Sequence, residues 1–432
     1  MAGPGIVEAK LEWSGGREQS AEPSGVVARH PDYEKAWWVL LGASLCIFSG
    51  SASVAYYTFG VFLPEIIAAT KWSGPALAAT IGPGLLAASV VAPLAGMACD
   101  KFGVRAIVLI GAPAIGIGFA ILGMAPTSAG GFAAATILMY LLFFAGSPVP
   151  YARMLSGWFD TRRGMALSIM FASGSIGIAC WPQYAAFLIA HLGWRHAYVA
   201  MGGSAAAVVL FAALFMLKDP PGAGSTSDSG ATAGRTGLLV REALRTVRFW
   251  KLCAVFMLLT AVLGGTAVIF PVILRMQGAD PSAAASIMSV IGIAMFVGRL
   301  SLGLTLDRFF APYVTLCISI ISTLAFVIMI LGGSTKTLFA AGAFLGFGLG
   351  AEYAVTAYIV SRAFGIRSFG SIYGLITTAT SIGAAIGPAV LGAALVSSVG
   401  IRTLSFAALA VLLVPILLLL TVSRKDLPFQ AR

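Results

Sequence analysis

The chemical group that stands out in this sequence is an arginine inside a long apolar segment. The segment from Pro281 to Leu304 has Arg299 as its one charged residue, and it is long enough to cross a bilayer, which takes about 20 apolar residues. An arginine near the middle of such a helix costs about 2.5–3.5 kcal/mol on insertion scales, so it usually faces an aqueous cavity or a carboxylate. We therefore predict that Arg299 faces an aqueous cavity within the protein. The alternative is snorkelling, because Asp307 at the segment's end is only about 12 Å away along a helix.

A second ionisable residue, Glu352, lies in another apolar segment. It precedes Arg362, at the end of that segment, by about 15 Å along a helix, so its depth is close to that of Arg299. Two interpretations compete. Glu352 forms a structural ion pair with Arg299, or it takes up and releases a proton for transport, because apolar surroundings favour the neutral form of a carboxyl group.

Polar and aromatic residues in other apolar segments are candidates for the lining of the same cavity. With Arg299, the predicted substrate-binding set consists of Tyr57, Tyr151, Gln183 and Tyr358. Each of these side chains alone is also explained by packing or by a position at the membrane surface.

The sequence repeats itself at a constant offset. Gly96-Met-Ala-Cys-Asp100-Lys-Phe recurs as Gly303-Leu-Thr-Leu-Asp307-Arg-Phe, 207 residues later. Ser156, Phe159 and Arg162 likewise recur as Ser361, Phe364 and Arg367, at an offset of 205 residues. Two motifs in matching register, each at the end of an apolar segment, indicate two homologous halves.

The composition is that of an integral membrane protein. Of the 432 residues, 59% are hydrophobic and 10% are charged, whereas a soluble domain has about 25% charged residues. Twelve apolar segments predict an all-α membrane protein with two homologous halves of six transmembrane helices. The predicted boundaries are a disordered cytosolic tail at 1–36, halves at 37–217 and 250–422, a Gly/Ser-rich linker at 218–249 and a second tail at 423–432.

The basic residues predict the orientation. With both termini in the cytosol, only five of the 27 Lys and Arg residues fall in loops on the other side, namely Lys71, Arg195, Arg275, Lys336 and Arg402. Cytosolic loops are normally rich in Lys and Arg, so this asymmetry favours that orientation. Anionic lipid headgroups then explain the net charge of +11, and no nucleic acid need be invoked.

The sequence gives no sign of catalysis or metal binding. Its five cysteines, Cys46, Cys99, Cys180, Cys253 and Cys317, are isolated and lack the spacing of metal ligands or of a disulfide framework. No cluster of nucleophile and base stands near a helix end, and the linker is too short for a sensor's output domain. We therefore predict neither a cofactor nor a metal, and a protein that is not an enzyme.

Several motifs resemble those of the major facilitator superfamily. The segment from Gly96 to Arg105 resembles the family's loop between helices 2 and 3, and Asp307-Arg308 resembles its echo between helices 8 and 9. In that family these loops form a charged gate at the inner face. The resemblance thus implies a gating role for Asp100, Arg105, Arg162, Asp307, Arg308 and Arg367.

A narrower resemblance is to the monocarboxylate-porter branch and its bacterial members. It rests on Tyr57-Thr-Phe-Gly-Val-Phe62, Trp158-Phe-Asp-Thr-Arg162-Arg-Gly-Met-Ala, Gly193-Trp-Arg-His-Ala-Tyr198, Gly298-Arg299 and the segment from Ser361 to Gly374. In that branch the helix-8 arginine engages the substrate carboxylate, which implies this role for Arg299. Animal members have an aspartate four residues before this arginine, and it takes part in proton coupling. In this sequence that position is Met295. Either Glu352 has taken over that role or the coupling differs.

These observations predict uptake of a small organic anion by alternating access, with proton symport as an addition, in a bacterial inner membrane. The alternatives are uptake of a larger neutral or aromatic nutrient such as riboflavin, and efflux of a drug-like solute. The partners implied are a small-molecule substrate, expected to be a carboxylate, and the lipid bilayer. The oligomeric state is left open, and a monomer is consistent with the sequence.

Overall fold

The computed structural model describes residues 33–72, 74–160, 162–220, 237–276, 281–332, 335–396, 400–422 and 427. Half of the predicted linker (221–236) and nearly all of both predicted tails lie outside these residues, so the expectations for them stay predictions.

The described residues fold into twelve membrane-length helices, six in each half. The first half consists of α1 (Tyr33–Phe48, Ala52–Tyr56 and Phe59–Thr70), α2 (Gly74–Phe102), α3 (Val104–Gly123), α4 (Ala129–Leu142, Phe143–Gly146 and Pro148–Trp158) and the run Arg163–Phe215, in which α5 is residues 163–192 and α6 is residues 194–215. The second half consists of α7 (Val247–Leu259, Thr260–Gly264 and Gly265–Met276), α8 (Pro281–Leu306), α9 (Ala311–Leu331), α10 (Thr335–Phe364), α11 (Phe369–Val396) and α12 (Ile401–Leu420).

Local sequence explains where several helices begin and end. The run Arg163–Phe215 breaks at Gly193, whose φ of 74° lies in the left-handed region that favours glycine. Gly332, with φ of 70°, ends α9 in the same way. The hydroxyl groups of Ser128 and Thr246 each accept a backbone N–H and cap α4 and α7.

The duplication seen in the sequence is present in the backbone. Helices α1 and α7 occupy equivalent positions in the two halves, and each contains one π-helical turn, at Ala52–Tyr56 and Thr260–Gly264. The two turns are 208 residues apart, close to the offset of the sequence repeat. Such turns interrupt the regular hydrogen-bond ladder and are frequent at functional sites.

The two halves meet most closely at one end of the bundle, which we call the linker end. It carries residues 102–104, 158–160, 217–220, 306–311 and 364–369. There α2 packs on α11: a Cβ at Gly96 would collide with the carbonyl of Gly370, and one at Gly374 would lie 2.6 Å from the Cα of Pro93. Glycine allows this close approach of two helices in lipid.

We predict that Gly374→Val forces α2 and α11 apart. Overpacking of a tight contact costs about 1–3 kcal/mol, enough to raise the population with an open linker end by about 5- to 150-fold. Hydrogen–deuterium exchange of the peptides covering residues 93–102 and 369–378 should then become faster.

The matched control is Gly392→Val on the same helix, because a Cβ at Gly392 meets nothing within 4 Å. Equal exchange rates in the two variants would contradict the proposed packing constraint.

Candidate functional site

Arg299 lies buried in the middle of the bundle and bridges the two halves. Its Nη1 atom donates to the carbonyl of Phe171, at 2.9 Å, and to the hydroxyl of Ser175, at 2.6 Å, both on α5. Its Nε atom is buried and has no hydrogen-bond partner, and Nη2 has none among the residues that the structure describes. One edge of the guanidinium group, formed by Nε and Nη2, is therefore unpaired.

The charge of Arg299 also lacks a protein counter-charge. Within the described part of the chain, no carboxylate lies within ion-pair distance of it. Its electrostatic neighbours are the hydroxyl groups of Tyr57 and Tyr353. The ring of Tyr353 stacks on Phe171 with 6.0 Å between centroids. A cation with a free donor edge and aromatic walls is suited to a planar anion, because a guanidinium binds a carboxylate through two parallel hydrogen bonds.

Glu352 lies on α10 and does not pair with Arg299. It is buried, and its Oε1 atom contacts the hydroxyl of Thr260, at the start of the π-helical turn of α7. The ion-pair interpretation of Glu352 is thus wrong for this conformation. Arg299 faces α5 in the first half, whereas Glu352 faces α7 in its own half.

The other predicted binding residues are spread over the bundle. Tyr57 is 41% exposed and lies beside Arg299, with its ring edge-on to Tyr56 at 5.2 Å. Gln183 on α5 is exposed. Tyr151 is fully buried and donates to the carbonyl of Ala145 at 2.5 Å. Tyr358 is buried with its ring under Arg362, at the linker end. Only Tyr57 of these four is an electrostatic neighbour of Arg299.

Sequence reasoning missed three contributors to the surroundings of Arg299. These are Ser175, the carbonyl of Phe171 and Tyr353. The first two lie on α5 in the other half, so no spacing along α8 could reveal them. Tyr353 directly follows Glu352 in the sequence, and that adjacency was the available signal.

At the linker end, a carboxylate from each half caps a helix of the other half. Asp100 on α2 accepts from the backbone N–H groups of Gly370 and Ser371, at 3.2 and 2.9 Å. Asp307, just after α8, accepts from those of Gly164 and Met165, at 2.7 and 2.9 Å. Negative charge is stabilised at a helix N-terminus, where N–H groups lack partners. These two caps hold the linker end closed.

Burial also changes the acidity of one of these caps. It raises the pKa of Asp307, although the N–H donors of α5 and the positive charges of Arg362 and Arg163 oppose that rise. The closed linker end therefore binds a proton at Asp307 more readily than an open, hydrated arrangement would.

The predicted gating arginines are placed differently from the aspartates. Arg105 donates to the carbonyls of Ala213 and Leu214, within its own half. The side chains of Arg162, Arg308 and Arg367 have no hydrogen bond or ion pair among the described residues.

Neighbouring residues make the ionic contacts at this end. Arg153 pairs with Asp100 at 2.5 Å, Arg362 with Asp160 at 2.8 Å across the halves, and Arg163 donates to Ser361 at 2.9 Å. Arg163 directly follows the motif residue Arg162, and Arg362 lies five residues before Arg367. The motif therefore predicts the region of the ionic contacts but not the arginines that form them.

The contacts between the halves define the conformational state. In the described part of the chain, the hydrogen bonds between the two halves lie between the depth of Arg299 and the linker end; the contact of Thr378 with the carbonyl of Ser89, at 2.7 Å, is one of them. Tyr56 and Tyr57 are exposed above this level. The contacts between the halves therefore lie on the linker side of Arg299, whereas its neighbour Tyr57 is exposed.

Comparison with known proteins gives the family. The family model of the Major Facilitator Superfamily matches residues 45–335 and 264–432. An uncharacterised transporter of that superfamily, YhjX of Escherichia coli, is 25% identical over 82% of this chain and 87% of its own. Monocarboxylate transporter 13 of Bos taurus is 26% identical over 64% of this chain and 62% of its own.

Solved structures show the same fold. The human organic anion transporter MFSD10 superposes with a TM-score of 0.67 at 15% identity, over 90% of this chain and 99% of its own. The Escherichia coli fucose:proton symporter FucP superposes with a TM-score of 0.69 at 13% identity, with the same coverage. Two duplicated six-helix halves around a central site, together with the match along nearly the whole chain, show that this chain is a multi-pass membrane transporter of the Major Facilitator Superfamily.

Proposed function

We propose that the protein takes up a small organic anion by alternating access, with the carboxylate bound at the free edge of Arg299. The observation that carries this proposal is the unpaired Nε of a buried arginine with no carboxylate beside it. An uncompensated buried charge is costly, and a substrate carboxylate would supply both the charge and the two acceptors.

The orientation that the basic residues favour predicts the side of the membrane from which this conformation is accessible. If the linker end faces the cytosol, as the distribution of Lys and Arg predicts for a bacterial inner membrane, the conformation described above is open to the outside. Substrate would then enter beside Tyr57 and reach Arg299. Because Arg299 also holds α5 through Phe171 and Ser175, a bound anion would act on a side chain that both halves share.

The similar proteins support this substrate class. They include proteins named as monocarboxylate transporters and one named as an organic anion transporter. The rings of Tyr57, Tyr353 and Phe171 near Arg299 also favour, as a second candidate, an acid with an aromatic ring. A neutral nutrient would leave the charge of Arg299 uncompensated, so we rank it lower.

We further propose that uptake is coupled to protons and that Glu352 carries the proton. The hydroxyl of Thr260 has one proton, and it contacts both the Phe256 carbonyl, at 2.7 Å, and Glu352. When that proton goes to the carbonyl, the contact with Glu352 requires a proton on the carboxyl group. A neutral Glu352 also suits its burial without a basic partner.

We predict that Arg299→Lys loses most uptake and that Arg299→Ala loses all of it. Lysine keeps the charge but not the fork of two parallel donors, and removal of one partner from a buried charged pair costs about 2–5 kcal/mol. The measurement is uptake of labelled lactate, pyruvate, a dicarboxylate, an aromatic acid and riboflavin into proteoliposomes.

The matched control is Arg402→Lys. Arg402 is exposed at the opposite end of the bundle, so this variant should transport normally. Normal acid uptake by Arg299→Ala, or transport of riboflavin alone, would refute the carboxylate role of Arg299.

We predict that Glu352→Gln separates exchange from accumulation. The amide mimics the protonated acid in shape and cannot release a proton, so a proton gradient should no longer drive net uptake while exchange of internal for external substrate continues. Exposed Glu65 on α1 provides the control Glu65→Gln. Gradient-driven uptake at the wild-type rate in Glu352→Gln would remove Glu352 from the coupling mechanism.

A further inference from the structure

Arg299 and Tyr353 lie at nearly the same level of two neighbouring helices. Helices α8 and α10 run side by side in the same direction, because a Cβ added to successive glycines of α10 would meet successive turns of α8. The pairs are Gly342 with Ile287, Gly346 with Ile291 and Gly350 with Met295. Arg299 follows Met295 by four residues, and Tyr353 follows Gly350 by three.

One turn of α10 presents side chains to both proposed sites. Successive residues of a helix are about 100° apart around its axis. Gly350 faces α8, so Tyr353 lies within about 60° of that face and Glu352 about 160° away from it. The carboxyl group of Glu352 accordingly contacts Thr260 of α7. Tyr353 therefore lies on the side of Arg299, and Glu352 on the other side of the same helix.

The ring of Tyr353 is held against the first half of the protein. It stacks on the ring of Phe171 of α5, with 6.0 Å between centroids and 28° between planes. The carbonyl of Phe171 accepts from Nη1 of Arg299 at 2.9 Å. The hydroxyl group of Tyr353 interacts electrostatically with Arg299 and Glu352, and it has no hydrogen bond among the residues that the structure describes. The ring is thus fixed, while the hydroxyl proton remains free to turn.

The polar side chains around Glu352 and Tyr353 include a single cation and no second carboxylate in the described part of the chain. They are Tyr56 and Tyr57 of α1, Thr260 of α7, Arg299 of α8, Thr315, Ser319 and Ser322 of α9, which line a small cavity beside Glu352, and Tyr373 of α11. Helix α5 packs on Tyr353 through the ring of Phe171. Among these groups, Glu352 is the one whose charge changes at moderately acidic pH.

We propose that the hydroxyl group of Tyr353 links the binding of an anion at Arg299 to the binding of a proton at Glu352. This inference rests on the proposed function of those two residues and adds the residue that connects them. A hydroxyl group has one proton and can donate it to one acceptor at a time. The state of Glu352 therefore decides whether that proton is available to the anion.

The link works through the direction of one O–H bond. When Glu352 is ionised, its charge attracts the hydroxyl proton and leaves the oxygen lone pairs of Tyr353 toward an incoming carboxylate. When Glu352 is protonated, the hydroxyl group turns and donates to the carboxylate, in addition to the two donors at the free edge of Arg299. Tyr353 keeps its proton throughout, so no bond is broken. By linkage, the bound anion favours protonation of Glu352 by the same factor.

The test is binding of pyruvate and of phenylpyruvate to the purified full-length protein, measured by calorimetry between pH 5.5 and pH 8.5. Both acids stay ionised over this range. We expect the wild type to bind at least about fivefold more tightly at pH 5.5 than at pH 8.5. Glu352→Gln, which keeps the neutral form, should bind at pH 8.5 about as tightly as the wild type does at pH 5.5.

The decisive variant is Tyr353→Phe, which keeps the ring on Phe171 and removes the hydroxyl group. It should bind more weakly than the wild type at pH 5.5, and its affinity should change by less than about twofold across the range. The matched control is Tyr313→Phe, because Tyr313 is exposed on α9. This control should show the pH dependence of the wild type.

The outcomes separate this inference from the proposed function. The wild-type pH dependence in Tyr353→Phe would show that Glu352 acts on the anion through space, and it would overturn the role of Tyr353 alone. Absence of binding, or binding that Arg299→Ala leaves intact, would refute the carboxylate site and this inference with it. A wild-type affinity that is independent of pH would likewise refute the link between the two sites.

Discussion

The structure depends on one electrostatic constraint: a guanidinium group is held in the middle of a membrane protein with three of its five N–H donors unpaired among the described residues. Removing a charge from water costs several kcal/mol even after relaxation, and the protein compensates Arg299 only in part, through a carbonyl and a hydroxyl group of α5. Nearby tyrosine hydroxyls interact favourably with the positive charge of Arg299 but do not neutralise it. In the proposed function, this remaining deficit favours an anionic substrate at the site.

The contacts that close the linker end can break without leaving buried polar groups unpaired. Asp100 and Asp307 cap helices of the opposite half, and water can replace them when the halves part. Glycine contacts such as that of Gly374 with Pro93 hold α2 against α11 by shape alone. Neither force is large in water or lipid. Under the proposed alternating access, a bound anion that rearranges Arg299 would need only a few kcal/mol to shift the balance between two conformations.

The sequence was sufficient for the features that depend on composition and register. Twelve helices, two halves and the family follow from apolar segments, from the repeat of Asp100 as Asp307, and from the motifs around them. Helix rotation and the contacts between distant segments were not predictable, because they are set by packing across the whole bundle. This is why Arg153 and not Arg105 pairs with Asp100, and why Glu352 meets Thr260 and not Arg299. The small cavity beside Glu352 is lined by three helices, α7, α9 and α10, and left no trace in any single motif.

The most direct test of the carboxylate account is a comparison of matched acids and amides in binding to the purified protein by calorimetry. Lactate and lactamide, or pyruvate and pyruvamide, have nearly the same shape and differ in charge and in the second acceptor oxygen. The account predicts that an acid that the protein transports binds and that its amide binds at least about tenfold more weakly, as expected from loss of a charge-assisted pair worth more than about 1.4 kcal/mol. Equal affinity for an acid and its amide would show that the free edge of Arg299 does not recognise a carboxylate.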